Sequence, residues 1–549
     1  MNNYVIAMGG TGARCLEAIV YLSAAGLFDD PQIPLQVLII DPDKNNGNSK
    51  KTTELIGLYR ELQNADQPSA PQRSEAAVRP PGLFRTRINP GSEPVFWHNP
   101  SPNQKFRDAI HYDGLRKEGK DFLSLFYSDQ DLEMELDVGY RGRTGVGAVT
   151  MKQDLGASFD QPLAGLKQLV ENLRADAQGN TSPKVFAAGS VFGGTGATGL
   201  PTVPELIKKL VNPQQQTGGA GVGLGDNIRF GCAMMAPYFS FPSPSSQATE
   251  SGPAPESALH PVATKAVLMH YAHEHPPYEH IYLIGAPNRK STNRHVSGGS
   301  DQKNSPHYAE LVAGLAAWDF FALKNLNAKQ KALHFANSLT TTKDQAKPDV
   351  EEKASDLGVG WSTLPISVDT PGDVQTLLSL RRNTLRCRLV AFTTFMYFYK
   401  YFLFPAIQAN LHLGAIFYRD NFRSLSLRSG QNPELTKRLN DFSTSYLDWL
   451  GKVGGSLTVA PGNIEDGLFA FPAFVAEAKN ALDFLGRLAP RPNPPSGVEA
   501  YSRLLDELNA LTVKQRGNAS ATGLLIYLLF EAVWNFCKKN YNWKVDGAA

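Results

Sequence analysis

The residue types best placed to do chemistry in this 549-residue chain are glycines and threonines. Gly189–Gly199 holds five glycines, together with Thr195 and Thr198. Glycine lets backbone approach a ligand closely, so bare N–H groups can face an anion. Threonine hydroxyls can add donors to phosphate oxygens. A second glycine turn, Gly9-Gly10-Thr11-Gly12-Ala13, lies near the N-terminus. A third glycine-rich segment, Gly139–Gly147, carries Arg141, Arg143, Thr144 and Gly145. An arginine beside a terminal phosphate neutralises charge that develops during phosphoryl transfer. No Lys-Ser/Thr pair closes the Gly189–Gly199 run, so it is not a P-loop.

These loops need rigid elements on both sides. The apolar run Val185–Ala188 predicts a strand before the Gly189 loop. Pro201–Leu210 predicts a helix after it, with Glu205 early and Lys208 and Lys209 late, as the helix dipole prefers. Tyr4–Met8 predicts a buried strand before the Gly9 turn, and Cys15–Ala25 has helical periodicity. Leu35–Ile40 is the next strand, ending in Asp41-Pro42-Asp43. Gln104–Phe126 predicts a helix with its connection, and Gln161–Ala175 a helix. Ile228–Met235 and Tyr278–Gly285 predict strands, and Pro306 opens a helix to about Leu323. Residues 66–105, Gln214–Gly225, Ala236–Pro261 and Ser291–Ser305 read as loops.

Composition narrows the classes. The net charge is +2, with acids and bases balanced, which argues against general nucleic-acid binding. Cys15, Cys232, Cys387 and Cys537 have no ligand spacing and fit a reduced, cytoplasmic protein. No basic segment followed by a long apolar run marks secretion. Leu389–Phe404 is interrupted by Lys400 and closed by Pro405, and Gly523–Phe536 contains Glu531, so both predict buried helices and no membrane span.

The order Gly193-Gly194-Thr195-Gly196, then Gly199, resembles the signature loop of the tubulin/FtsZ GTPase superfamily. Phe192 replaces that loop's first glycine, and one residue is inserted before Gly199. A phosphate loop at Gly9, a turn like Asp41-Pro42-Asp43 after the second strand and a later signature loop are similar to the superfamily's layout. Pro306-His307-Tyr308-Ala309-Glu310-Leu311 resembles the opening of its core helix, with Tyr308 matching the base-stacking residue. Val312 stands where the family has a base-recognising Asn, leaving Glu310 as an acceptor. Ile366–Val374 resembles its catalytic loop, with Asp369 and Asp373 as the acids.

The resemblance implies GTP or GDP with Mg²⁺, and hydrolysis to GDP. It also raises head-to-tail assembly into a homo-oligomer or filament. The implied nucleotide contacts are Gly9, Gly10, Thr11, Gly12, Arg14, Asp41, Asp43, Thr144, Gly145, Gly193, Gly194, Thr195, Gly196, Thr198, Tyr308 and Glu310. Asp43 lies near the metal. Arg141 and Arg143 face the terminal phosphate, and Asp369 and Asp373 activate water across a subunit contact.

The fold class expected is α/β. Residues 1–323 form a tubulin/FtsZ-like Rossmannoid nucleotide-binding domain that includes the core helix. Residues 324–374 are a variable connection holding the catalytic loop. Residues 375–549 are a mainly helical C-terminal domain, with helices at Val374–Tyr399, Pro433–Leu450, Phe471–Leu488, Val498–Leu511 and Ser520–Asn540. Two other classes stay open. One is a Rossmann-type enzyme using NAD or ATP. The other is a non-catalytic nucleotide-gated scaffold whose C-terminal helices bind a partner protein.

Overall fold

The computed structural model describes residues 2–28, 33–64, 83–89, 95–97, 104–137, 139–157, 164–179, 182–212, 223–240, 260–274, 277–286, 290–291, 298–323, 332–336, 361–365, 382–408, 432–456, 497–511 and 521–540. The chain is α/β. Its frame is an eight-stranded sheet of β1 (Asn3–Met8), β2 (Leu35–Ile40), β3 (Val95–Trp97), β4 (Lys184–Ser190), β5 (Arg229–Met235), β7 (His280–Ile284), β9 (Ala332–Ala336) and β10 (Trp361–Pro365). The spatial order is β10-β9-β7-β5-β4-β1-β2-β3. Every pairing is parallel except β9 with β10. Two short strands, β6 (Phe239–Ser240) and β8 (Lys290–Ser291), pair apart from the sheet.

The inner strands are mostly apolar because helices cover both faces of a parallel sheet. Val5 and Ala7 of β1 point into one core, and Tyr4, Ile6 and Met8 into the other. On the first face lie helices α1 (Gly9–Ala24), α2 (Gly47–Asn64) and α10 (Tyr308–Ala322). On the second lie α3 (Phe106–Ala109), α5 (Asp129–Leu132), α6 (Thr144–Ala157), α7 (Ala164–Ala177), α8 (Gly194–Val211) and α9 (His260–Glu274). The short α4 (Lys117–Leu123) leaves Phe122 exposed.

Several expectations need correction. The predicted Gln104–Phe126 helix is broken into α3, a 3₁₀ turn at Tyr112–Gly114 and α4. Helix α8 starts at Gly194, well before Pro201, because the glycine-rich turn packs tightly against Tyr140 and Ser190. Tertiary contact here overrides low helix propensity. Pro204 removes the donor that Leu200 O would receive, and the Tyr278 hydroxyl donates to that carbonyl instead, at 2.5 Å. The Gly139–Gly147 segment is part loop and part helix, since α6 begins at Thr144. Residues 324–374 are more than a connection: β9 and β10 extend the sheet. The helix formed by the Leu389–Phe404 run does not stop at Pro405: it passes through a π-helical turn at Tyr399–Leu403 into α12 (Phe404–Gln408).

The described C-terminal segments are helices: α11 (Arg382–Phe398), α13 (Pro433–Gly455), α14 (Gly497–Ala510) and α15 (Ala521–Asn540). They lie over the α1, α2 and α10 face and share its core. Tyr21 of α1 sits 5.6 Å from Phe442, 5.4 Å from Tyr446 and 4.8 Å from Trp449 of α13, centroid to centroid. Among the described residues, the C-terminal helices and the sheet-covering helices α1, α2 and α10 belong to one hydrophobic core. The predicted Phe471–Leu488 helix lies outside the described residues. Among the described residues no helix is long and apolar enough to cross a membrane.

Candidate nucleotide-binding cleft

The chain leaves β1 for β2 and β3 on one side, then returns to β4 on the other. The strand order therefore reverses between β1 and β4, where doubly wound sheets bind ligands at the carboxyl ends of the strands. Helix α1 rises from β1 on one face, and α8 follows β4 on the other, after the short Val191–Gly193 turn. Their N-termini meet. A β-carbon on Gly9 would lie 3.1 Å from Cβ of Thr195. The first N–H groups of both helices lack intrahelical acceptors, and both dipoles present their positive ends here.

A cleft of about 820 Å³ opens at this point, counting the solvent-filled mouth. Its floor is Met8, Gly9, Gly10, Thr11, Ser190, Gly193, Gly194, Thr195 and Gly196. One wall is Asp41, Asp43, Asn46 and Asn48 with Gly298, Gln302 and Asn304. Another is Gly139, Tyr140, Arg141 and Gly142, and the last is Phe192, Phe239 and His260. The two glycine turns, the Asp-Pro-Asp turn and Arg141, widely spaced in sequence, thus share one cavity.

Arg141 is held with φ +43°, between Gly139 at +81° and Gly142 at +78°. A left-handed arginine costs about 1–2 kcal/mol, and such strain collects at binding sites. Asp43 accepts backbone N–H groups from Asn45 at 2.8 Å and Gly299 at 2.7 Å. Asp41 accepts from the Asp43 N–H at 3.1 Å and the Ser49 hydroxyl at 3.0 Å. Burial pushes the Asp41 carboxyl up to about 7, although these hydrogen bonds oppose the rise. The 298–304 segment, expected as a loose loop, is strapped to this wall. Asn46 Nδ2 donates to Gln302 Oε1 at 2.7 Å, and Asn304 N to Asn48 Oδ1 at 3.0 Å.

Other expected contacts lie off the cleft wall. Gly12 serves packing: a β-carbon there would be 2.5 Å from Ala188 O. The Thr198 hydroxyl donates to Gly194 O at 2.8 Å and Thr144 O at 3.3 Å, joining α8 to α6. Gly145 O accepts from the Tyr127 hydroxyl at 3.4 Å. Arg143 does not line the cavity and pairs with Asp131 at 3.3 Å. Arg14 and Glu310 form a buried ion pair at 2.7 Å. The Tyr238 hydroxyl bridges them, receiving from Arg14 at 2.6 Å and donating to Glu310 at 2.7 Å. The His307 N–H donates to Glu310 at 2.9 Å. Burial raises the Glu310 carboxyl, and Arg14 opposes that rise. Glu310 is therefore engaged in holding α10 to α1. Tyr308 also lies off the wall: its N–H donates to Ser456 Oγ at 2.9 Å and its ring packs on His307 at 4.6 Å. Asp369 and Asp373 lie outside the described residues.

Asn46, Asn48, Gln302 and Asn304 line the cleft without any sequence signal having marked them, whereas Ser190 falls in the Gly189–Gly199 loop and Phe239 and His260 in the Ala236–Pro261 loop. Among the described residues no group of three or more His, Cys, Asp or Glu could hold a metal ion by itself. No known protein family matches this chain, and comparisons with curated proteins and with solved structures return no match either.

Proposed function

We propose that the cleft binds a nucleoside triphosphate, its phosphate chain lying across the converging starts of α1 and α8. The observation that carries this reading is the Gly9–Thr195 contact, which brings two helix N-termini to one point at the switch of strand order. Backbone N–H groups of the Gly9 and Gly193 turns hold phosphate oxygens, and Thr11 and Thr195 add hydroxyls. Arg141 stands at the terminal phosphate as the neutralising charge. Mg²⁺ fits as an ion brought in by phosphates, because two carboxylates, Asp41 and Asp43, line the cleft. That ion would supply charge neutralisation of the phosphate chain.

GTP is the nucleotide that the likeness of these turns to tubulin and FtsZ implies, and hydrolysis to GDP is the reaction. Asp369 and Asp373 are the proposed water-activating acids, acting at a head-to-tail contact between copies. If so, specific activity climbs with protein concentration; a flat value across a wide dilution series removes the assembly step. The scaffold reading draws on the helical layer packed on α1, and it predicts binding without turnover at any concentration.

The deciding experiment identifies nucleotide released on denaturation, then titrates GTP, ATP and NAD with Mg²⁺. Tight GTP or GDP binding supports the reading. Binding of NAD alone transfers the cleft to the dinucleotide class, which uses the same strand order.

A further inference from the structure

The cleft has two chemically different ends. One carries the carboxylates and amides of Asp41, Asp43, Asn46 and Asn48. The other is a wall of rings from three separate segments: Phe192 in the turn before α8, Phe239 in β6 and His260 at the start of α9. The Phe192 ring lies 5.4 Å from Phe239, edge to face, and 4.9 Å from His260. Arg14, which does not line the cleft, rests its guanidinium 5.4 Å from the centre of the Phe239 ring and so backs this wall. Their exposures are 4% for Phe192, 7% for Phe239 and 5% for His260, so the wall is firmly embedded.

The phenyl rings of Phe192 and Phe239 offer nothing to phosphates or to a metal, and they make up most of this wall. The part of a nucleotide that matches them is the planar base, through stacking and apolar contact. The residue expected to stack, Tyr308, does not line the cleft: its backbone N–H donates to Ser456 Oγ after α13, and its ring packs on His307.

We infer that the base of the bound nucleotide packs against the Phe192, Phe239 and His260 wall, and that Tyr308 is not its stacking partner. This rests on the phosphate reading of the glycine turns. It assigns base contact to the turn after β4 and to the segments following β5, leaving the core-helix start to hold the fold together.

The test measures dissociation constants of GTP, ATP and inorganic tripolyphosphate for the wild type, Phe239→Ala, Phe192→Leu and Tyr308→Ala. Phe239→Ala is expected to weaken the nucleoside triphosphates by about tenfold or more and to leave tripolyphosphate unchanged. Phe192→Leu keeps apolar bulk while removing the ring, and should show the same selectivity if Phe239→Ala unfolds. Tyr308→Ala should move none of the three. Equal loss for nucleotide and tripolyphosphate, no loss in either ring variant, or a selective loss in Tyr308→Ala overturns the inference and leaves the phosphate site standing. A wild type that binds none of the three ligands overturns both.

Discussion

Gly9 and Thr195 stand one against the other: the β-carbon that Gly9 lacks would lie 3.1 Å from Cβ of Thr195. Gly9 also has φ +68°, where a side chain is strained. Gly9→Ala should therefore lower stability by about 1–2 kcal/mol. It should also push the starts of α1 and α8 apart and weaken tripolyphosphate binding by roughly tenfold or more. Calorimetric titration checks this; unchanged phosphate affinity in a destabilised Gly9→Ala protein would remove the turn from the phosphate site.

Arg141 yields a prediction with two opposite signs. Its left-handed backbone suits glycine better, and relief of about 1–2 kcal/mol exceeds the extra unfolded-state freedom of glycine, about 0.5–1 kcal/mol. Arg141→Gly should melt slightly higher than wild type while binding nucleoside triphosphate more weakly. Thermal melts and titrations on one preparation suffice. A lower melting temperature with full affinity would make the arginine a structural residue.

The sequence showed the strands and turns that carry their own pattern. β1, β2, β4 and β5 are predominantly apolar runs, and the glycines after β1 and β4 mark the floor of the cleft. Helices α6 and α9 escaped notice because their apolar residues follow no clear helical period, and α6 holds Gly145, Gly147 and Gly156. The start of α8 was hidden by glycines that are helical only because Tyr140 and Ser190 press on them. The amide wall could not be read at all. Asn46 meets Gln302 across a separation of 256 residues, and each alone is an ordinary polar loop residue. Glu310 shows the reverse: its motif was visible, but its pairing with Arg14, distant in sequence, was not.

That ion pair gives the third prediction. Glu310 is fully buried, and Arg14 is 2% exposed. Removing one partner leaves the other charge uncompensated, which costs about 3–5 kcal/mol. Glu310→Gln should fall in that range, while Arg14→Met combined with Glu310→Leu should recover much of the loss. Urea denaturation of the wild type, Arg14→Met, Glu310→Leu, the double variant and Glu310→Gln checks it, and a double-variant loss equal to the sum of the two single losses would mean that the pair is not coupled.

The α1–α13 contact predicts how the helical layer behaves. Tyr21 packs on three aromatic rings and shares a 3.0 Å hydrogen bond with Ser445. Tyr21→Ala should cost about 3–5 kcal/mol, as large aromatic truncations in cores do. Because the core is shared, both the sheet and the C-terminal helices should lose stability together. Hydrogen exchange reads the two regions separately; loss confined to α13 would show that the layer folds independently.

A buried histidine pair sets the acid limit of the fold. His280 Nδ1 and His334 Nε2 are 2.8 Å apart, with the His334 ring stacked on Tyr282 at 4.4 Å. Burial lowers His280 to about 4, helped by the charge of Lys184, and lowers His334 to about 3, helped by His280. Unfolded histidine titrates near 6.5. Between that value and the folded ones the unfolded chain binds protons that the folded chain refuses, so stability increases with pH across this window. The contribution is complete above pH ~7 and is lost as pH falls from 6.5 toward 4, by up to about 1.4 kcal/mol per pH unit for each histidine. His334→Gln removes one titrating ring but keeps a hydrogen-bonding group beside His280. Its stability, measured by urea titration at pH 7, 6 and 5, should fall about half as steeply as that of the wild type. Parallel slopes in the two proteins would place the acid sensitivity elsewhere in the chain.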